Sequence, residues 1–313
     1  MAEDGVYGEL WLHRKMLRDG VRNEAYRQAI AHAVKPGDVV LDVGAGTGIL
    51  SLFAVQAGAR KVYAVERTSI ARIIRQLAER NGASEVIEVF ECDIETFSAP
   101  EPVDVIVSEW MGGYGVDENM LWLVLDAREL WLKPGGKILP ERVTAWMAPA
   151  WDNMLDEEIS LWRSRPHGVD LSPIAEEMAQ ELLYERHWIS NLDLRAPPQK
   201  LWTHDTLTCP VEEARLPFQA SLLFSASTAG PFSALAAWFF AEFGNGLTLT
   251  NAPDAPSTHW GRTIFPLERT RTVEQGESIF VKFVCNPAGP GYCREDWSIR
   301  IGDGPWEPSQ RQS

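Results

Sequence analysis

The sequence is poor in the features that mark secreted, membrane-spanning and metal-binding proteins. Its four cysteines form no C-x-x-C spacing and no cluster with histidine, so nothing indicates a structural zinc site. No apolar stretch approaches the length of a transmembrane span, and the opening "MAEDGVYGEL" has neither the basic nor the apolar region of a secretory signal. We therefore expect a cytoplasmic protein with ordinary thiols and no membrane partner.

Positive charge is also scarce. The chain carries 29 lysines and arginines against 44 aspartates and glutamates, which gives a formal net charge of −15. This balance argues against direct nucleic-acid binding and is compatible with a cationic substrate, although solubility alone accounts for many acidic proteins. Lysine is rare beside arginine, which favours a GC-rich bacterial genome as the source.

The patterns that are present indicate two architectures in one chain. Residues 38–66 predict a strand, a glycine loop, a helix and a second strand, and strands and helices continue to alternate up to about residue 140. This alternation is typical of a parallel sheet covered by helices. Beyond it, runs such as "FQASLLFSA" and "SIFVKFVC" predict antiparallel strands, interrupted by a helical segment at about 156–195. The predicted division is a helical segment 1–35, a Rossmann-like domain 36–140 and a β-rich domain 141–313.

The stretch "VLDVGAGTG" predicts a nucleotide-binding turn. Gly44, Gly46 and Gly48 let the backbone turn tightly and approach a ligand at the start of a helix. A dinucleotide fingerprint would need a small residue where Ile49 stands, which weakens the case for NAD or FAD. Glu66, at the end of the second strand, is placed to accept the two hydroxyls of a ribose. The alternative is that the glycines only make a turn and that Glu66 is a solvated strand end.

Several motifs together resemble one family. "VLDVGAGTGILS", followed by "VYAVE", is similar to the first motifs of class I S-adenosylmethionine-dependent methyltransferases. "SEWMGGYGVDENML", "HRKMLRDGVRNEAY" and "STHWGRTIF" resemble, respectively, the double-glutamate loop, the N-terminal helix and the Thr-His-Trp loop of protein arginine methyltransferases. The resemblance implies a Rossmann-like methyltransferase domain followed by an antiparallel β-barrel domain with a helical dimerisation arm that begins near "HGVDLS". It also implies S-adenosylmethionine as cofactor and a homodimer.

The resemblance carries roles onto individual residues of this chain. Those implied for the cofactor are Arg22 for its carboxylate, Asp42, Gly44 and Gly46 along its methionine part, Glu66 for the ribose, and Ile94 and Glu95 beside the adenine. Those implied for the acceptor are Glu109 and Glu118 as a guanidinium-binding pair, His259 paired with Asp19, Met16 and Met120 against the acceptor nitrogen, and Trp260 and Tyr7 as further contacts. Outside this pattern, a lone arginine or histidine is more often a surface or packed residue, and a methionine is more often core filler.

The chemistry of arginine gives a reason for two acids on one loop, residues 108–119, here named the double-Glu loop. A guanidinium is protonated at physiological pH, so its nitrogens are poor nucleophiles. Glu109 and Glu118 can hold it through bidentate bonds, orient one nitrogen and bias the positive charge onto the others. The alternatives are solvated acids or a hard-metal site. No D-x-D pattern or histidine accompanies the pair, so we expect no metal.

Departures from the family pattern leave the acceptor open. The family has two tyrosines near the start of the chain; Tyr7 fits the second, but Glu3 occupies the first position. Gly113 and Gly115 predict a double-Glu loop that is more flexible than usual. The acceptor is therefore either free L-arginine, or a related metabolite, or an arginine in a protein. A methyltransferase for a non-guanidine metabolite and a cofactor-binding scaffold without catalysis are the remaining alternatives.

Overall fold

The structure is a computed structural model that describes residues 8–178, 193–289, 291–307 and 310–311. Tyr7 and Glu3 lie outside these described residues, as do positions 179–192 of the expected helical segment. Within the described ranges, no helix has both the length and the apolar character needed to cross a bilayer.

Two helices open the described chain. The first, α1, spans Leu10–Arg18 and the second, α2, spans Gly20–Ala33. Between them, Asp19 accepts a hydrogen bond from the backbone N–H of Arg22 at 2.9 Å, which satisfies one of the open donors in the first turn of α2. One face of α2 is buried, with Tyr26 fully enclosed, so this helix is fixed on the domain that follows.

The first domain is built on a five-stranded parallel sheet in the order β3-β2-β1-β4-β5. Its elements are β1 (Val39–Val43), α3 (Ile49–Gln56), β2 (Lys61–Glu66), α4 (Ala71–Arg80), β3 (Ile87–Glu91), β4 (Val103–Val107), α5 (Leu121–Trp131) and β5 (Leu132–Leu139). Every residue of the central strand β1 is buried, as expected for a parallel strand that is covered on both faces. The predicted Rossmann-like domain is therefore confirmed.

The strand order of this sheet reverses at β1. β2 and β3 lie on one side of β1, and β4 and β5 lie on the other. In open α/β sheets, ligands bind at such a switch point, outside the carboxyl ends of the strands. The glycine loop follows β1, Glu66 is the last residue of β2, and the double-Glu loop follows β4. The three predicted motifs consequently meet at one edge of the sheet.

The second domain consists of two antiparallel sheets. The first contains β6 (Arg142–Ala150), β7 (Gln199–Asp205), β9 (Gly230–Glu242), β10 (Thr248–Thr250) and β11 (Thr263–Val273), and the second contains β8 (Phe218–Ser225), β12 (Ser278–Gly289), β13 (Tyr292–Ile301) and β14 (Gln310–Arg311). The strand order is β10-β9-β6-β7 in the first sheet, with β11 paired to β9, and β14-β13-β12-β8 in the second. Phe265 of the first sheet packs edge-on against Phe283 and Trp297 of the second, at ring-centroid distances of 5.0 and 5.2 Å. These contacts form the core between the sheets and confirm the predicted antiparallel domain. A short helix, α8 (Val211–Ala214), lies between β7 and β8.

A helical insertion separates β6 from β7, as predicted. It contains α6 (Asn153–Arg163) and α7 (Ser172–Met178), joined through a short 3₁₀ turn at Pro166–Gly168. α6 buries Leu155 against the adjoining sheet, whereas Leu161, on the same helix, is 49% exposed. The insertion therefore has one face packed on its own domain and apolar side chains that remain accessible.

Candidate active site

A cavity of about 500 Å³ opens at the carboxyl edge of the parallel sheet. Its wall combines α1, the glycine loop, the end of β2, the 3₁₀ turn Ile94–Thr96, the double-Glu loop, residues 259–260 and the turn between β12 and β13. The volume lies within the range of roughly 300–1,000 Å³ that is usual for small-molecule sites. Both domains and the N-terminal helices therefore contribute to the same cavity.

The glycine loop approaches its neighbours too closely to carry side chains. Gly46 and Gly48 have φ angles of +56° and +83°, in the left-handed region that favours glycine. A Cβ atom on Gly46 would lie 3.0 Å from the ring of His13, and one on Gly48 would lie 2.7 Å from Ile74. At Gly46 the cavity wall is therefore bare backbone just before the start of α3, which suits a close-fitting nucleoside ligand.

Glu66 presents a firmly held carboxylate to the cavity. One oxygen accepts the N–H of Gly46 at 2.8 Å, and the other accepts the N–H and the hydroxyl of Thr68 at 2.8 and 2.7 Å. The side chain is almost completely buried in the protein. Ile94 and Glu95 line the same cavity from the turn that follows β3. The residues predicted for the ribose and the adenine therefore lie on one wall.

Asp42 takes a different place from the predicted one. It lies behind the glycine loop rather than on the cavity wall, because its side chain points from β1 towards α3 and accepts a hydrogen bond from the hydroxyl of Ser51 at 2.6 Å. It is fully buried, and burial raises the pKa of its carboxyl to about 7. Its position supports the loop through α3 and gives it no direct part in the cavity.

The two glutamates of the double-Glu loop both line the cavity. Glu109 is nearly buried, and its Oε2 accepts hydrogen bonds from Arg22 Nη2 at 3.1 Å and Nε at 3.3 Å. Its Oε1 accepts the N–H of Met111 at 3.3 Å. Arg22 lines the cavity as well, so the structure brings a residue predicted for the cofactor into contact with one predicted for the acceptor. Two charge-assisted hydrogen bonds to one oxygen, with the Met111 N–H on the other, fix the orientation of the Glu109 carboxylate.

Asp117 organises the double-Glu loop, and sequence reasoning missed this role. Its carboxylate accepts the N–H groups of Gly113 and Tyr114 at 2.8 and 3.1 Å. A Cβ atom on Gly112 would lie 2.3 Å from the same carboxylate. The glycines therefore allow a buried acid to pack against the loop backbone, which is a different consequence from the flexibility predicted for Gly113 and Gly115. Burial raises the pKa of Asp117 to about 6.

His259 and Asp19 form the pair that the sequence predicted. Asp19 Oδ2 accepts the backbone N–H of His259 at 2.8 Å and lies 2.9 Å from its Nδ1. Burial opposes ionisation of Asp19, but hydrogen bonds from His259 and from the Arg22 N–H outweigh it and hold the pKa of this carboxyl below its ordinary value. The contact joins residues 240 positions apart, and so fixes the N-terminal helices to the second domain.

The remaining predicted acceptor residues surround this pair. Trp260 lies under the ring of His259 at a centroid distance of 4.0 Å, and its Nε1 donates to the Met111 carbonyl at 2.7 Å. Met16 and Met120 both line the cavity. The position predicted for Tyr7 lies outside the described residues.

Two further contributors carried no recognised signal. His13 is 5% exposed and lines the cavity beside Gly46. Its position one helical turn before Met16 on α1 is the sequence signal that could have identified it. Glu295, in β13, is buried and accepts a hydrogen bond from the hydroxyl of Tyr114 at 2.6 Å, which ties the double-Glu loop to the second domain. This contact depends on long-range packing that no local pattern indicates.

Comparisons with known proteins bear on both domains. The family model described as "Arginine methyltransferase oligomerization subdomain" matches residues 141–301, and that of the "Ribosomal protein L11 methyltransferase (PrmA)" matches residues 27–114. The chain is 35% identical to Protein arginine N-methyltransferase 6 of Xenopus tropicalis, over 95% of this chain and 91% of that protein. It is 34% identical to Protein arginine N-methyltransferase PRMT10 of Oryza sativa subsp. japonica, over 89% and 81%.

Two solved structures are similar over almost the whole chain. The Trypanosoma brucei PRMT1 enzyme–prozyme heterotetrameric complex with AdoHcy has a TM-score of 0.87 and 29% sequence identity, covering 98% of this chain and 99% of that one. Protein arginine methyltransferase 10 of Arabidopsis thaliana, in an open conformation, has a TM-score of 0.84 and 29% identity, covering 99% and 100%.

Proposed function

We propose, because this chain belongs to the protein arginine N-methyltransferase family, that it methylates the guanidino group of arginine residues in proteins. The chain is an S-adenosylmethionine-dependent arginine N-methyltransferase. The observation that carries the proposal is the double-Glu loop, whose two carboxylates face a cavity also lined by His259. A cationic, planar acceptor is the substrate that such a pair of acids recognises best.

The cavity fits S-adenosylmethionine, which supplies an electrophilic methyl group when it is bound. The bare glycine loop and the buried carboxylate of Glu66 suit an adenosine whose ribose offers two hydroxyl donors. Ile94 and Glu95 would contact its base, and Arg22 would hold its carboxylate. Arg22 already pairs with Glu109 through Nε and Nη2, and a guanidinium has further donors for a second carboxylate.

Glu109 and Glu118 are proposed to activate the acceptor by position and by charge. Bidentate bonds from a guanidinium to these carboxylates would turn one nitrogen towards the methyl donor and draw the positive charge onto the others. The two negative charges also offset the cost of bringing a cationic acceptor beside a cationic cofactor. Because the Asp19 carboxylate accepts a hydrogen bond from Nδ1 of His259, that nitrogen carries a proton. Nε2 is then the ring nitrogen that can accept one. His259 is therefore a candidate to take up a proton after transfer.

Glu118→Gln is the sharpest test of this mechanism. Turnover of a Gly-Arg-rich peptide should fall at least about a hundredfold, because both orientation and electrostatic stabilisation are lost. Affinity for S-adenosylhomocysteine, measured by calorimetry, should stay close to that of the wild type. Glu109→Gln is a less selective variant, because it also removes the partner of Arg22. Near-normal turnover of Glu118→Gln would exclude the proposed role of the pair.

The acceptor is tested by mass spectrometry of products from the peptide and from free L-arginine in parallel reactions. We expect methylation of the peptide, since the relatives that match 95% and 89% of this chain are named protein arginine N-methyltransferases. Methylation of the free amino acid alone would contradict the protein acceptor and support the small-molecule alternative. Met16 and Met120 on the cavity wall are proposed to favour monomethylated or asymmetric dimethylated product over symmetric product.

The assembly is proposed to be a homodimer in the cytoplasm. The match to an oligomerization subdomain supports an oligomer. Apolar side chains are exposed on the helical insertion, including Leu161 and Val169, and on α1, including Leu10 and Trp11. Mutual burial of these two surfaces between subunits would remove both from water.

A further inference from the structure

Asn251 lies where three parts of the fold meet. It follows the last residue of the short strand β10, and it is only 2% exposed. It is absent from the cavity wall, so its side chain has no direct contact with a ligand there. Its buried amide must nevertheless form hydrogen bonds, because a buried polar group without a partner lowers the stability of the fold.

The side chain of Asn251 makes three hydrogen bonds to backbone groups. Its Nδ2 donates to the carbonyl of Gly113 at 2.7 Å and to that of Gly261 at 2.8 Å. Its Oδ1 accepts the N–H of Phe239, in β9, at 2.9 Å. The pairing of β10 with β9 ends at Thr250 and Phe240. The side-chain oxygen of Asn251 therefore accepts the N–H of Phe239, which lies just beyond the end of this pairing. Asn251 is thereby anchored on the rigid sheet.

The two carbonyls held by Asn251 belong to the two loops of the acceptor site. Gly113 is in the double-Glu loop, between the two glutamates, and its N–H is bound in turn by Asp117 at 2.8 Å. Gly261 directly follows Trp260 and comes two residues after His259. One buried side chain therefore spans the loop that carries the acids and the loop that carries the histidine.

We propose that Asn251 is a positioning residue of the acceptor site, which sets the separation of the glutamate pair from His259 through Gly113 and Gly261. This inference rests on the proposed function. The hydrogen bond from Trp260 to the Met111 carbonyl is a second link between the loops, so they stay associated without Asn251. What the amide adds is precision, and a misplacement of about 1 Å can slow an enzymatic reaction roughly a hundredfold.

The test compares Asn251→Ala with Thr206→Val. Thr206 is a matched control: it is also buried and absent from the cavity wall, and its hydroxyl contacts two carbonyls, those of Pro140 and Glu141 at 2.9 and 3.0 Å, but neither carbonyl belongs to a loop of the acceptor site. Peptide turnover, affinity for S-adenosylhomocysteine and thermal unfolding are measured for both, at a temperature where each is fully folded. For Asn251→Ala, we expect kcat to fall at least about tenfold with cofactor affinity largely unchanged. Thr206→Val should keep the wild-type kcat.

A second comparison separates positioning from general loss of structure. In a Glu118→Gln background, Asn251→Ala should lower kcat little further, because the carboxylate that it positions is already neutralised. An equal fold-loss of kcat in both backgrounds would overturn the inference, as would a wild-type kcat for Asn251→Ala. Failure of the proposed function is distinguishable, because the wild type itself would then methylate no arginine peptide. If Asn251→Ala does not fold, Asn251→Ser, which retains a donor hydroxyl and leaves less empty space, is held to the same criteria.

Discussion

Glu295 and Tyr114 form a buried polar contact beneath the double-Glu loop. Burial raises the pKa of Glu295 to about 7, and the nearby charge of Asp117 acts in the same direction. The hydrogen bond from Tyr114 acts in the opposite direction and lowers this pKa. A carboxyl with a raised pKa keeps its proton in the folded protein at a pH where the unfolded chain has lost it. The folded state therefore binds more protons between the ordinary pKa near 4.5 and about 7.

The sign of this linkage gives a prediction for Glu295→Gln. In the wild type, Glu295 makes the free energy of unfolding fall as pH rises from about 5 to about 7, by up to about 1.4 kcal/mol per pH unit, and adds no further slope above that. Glutamine keeps an acceptor for Tyr114 but does not titrate, so the variant should show a shallower decline. Urea unfolding at a series of pH values measures this difference. Parallel pH profiles for the two proteins would contradict it.

The sequence predicted the position of some site residues better than others. Glu66, Glu109 and His259 lie on the cavity wall as expected, because each belongs to a local motif at a strand end or in a loop. Asp42 does not, since the direction of its side chain is decided by the placement of α3. Asn251 gave no signal at all, because its partners come from three distant segments of the chain.

At the scale of the element, the turn inside the double-Glu loop depends on a close contact between backbone and acid. Gly112 and Gly115 exchange backbone hydrogen bonds at 3.2 and 3.3 Å, and Asp117 packs against Gly112. Gly112 has no left-handed φ, so space alone requires glycine there. The turn and its acid form one unit that holds the ends of the loop in place.

Gly112→Ala should disrupt this unit. The added methyl group overlaps the Asp117 carboxylate and should cost about 1–3 kcal/mol of stability, as overpacking does. Peptide turnover should fall at least about tenfold through displacement of Glu118. Gly20→Ala is the control, because nothing lies within 4 Å of its Cβ position, and it should change stability by no more than about 0.5 kcal/mol. Wild-type stability and turnover of Gly112→Ala would refute the expectation.

The elements themselves were predictable where the hydrophobic pattern was strong. Alternating apolar strands and helices up to residue 139 correspond to the parallel sheet. The pairing of the later strands was beyond a sequence pattern, since β8 pairs with β12 and β6 pairs with β9 across intervening elements. Such partners are selected by packing between the sheets, where Phe265 and Phe283 meet, and not by neighbouring residues.

At the scale of the whole molecule, the proposed homodimer gives a direct prediction. Light scattering of the wild type at micromolar concentration should report about twice the chain mass of 35.0 kDa. Leu161→Asp places a charge on the exposed face of the helical insertion and should shift the mass to that of one chain, because burying an unpaired charge is costly. Leu130→Asp, at a leucine that is 67% exposed on α5, is the control and should leave the dimer intact. A wild type with the mass of one chain would contradict the dimer.

The contact between Asp19 and His259 also bears on how the protein is made. The N-terminus of the chain emerges from the ribosome first, and domains generally fold as units while synthesis continues. The parallel sheet, complete by residue 139, is therefore ready to fold while most of the second domain is still untranslated. His259 and Trp260 emerge late, so a nascent or prematurely terminated chain holds the cofactor residues and the two glutamates without this part of the acceptor site. Methyl transfer thus reports on a chain whose synthesis is nearly complete, whereas nucleoside binding alone does not.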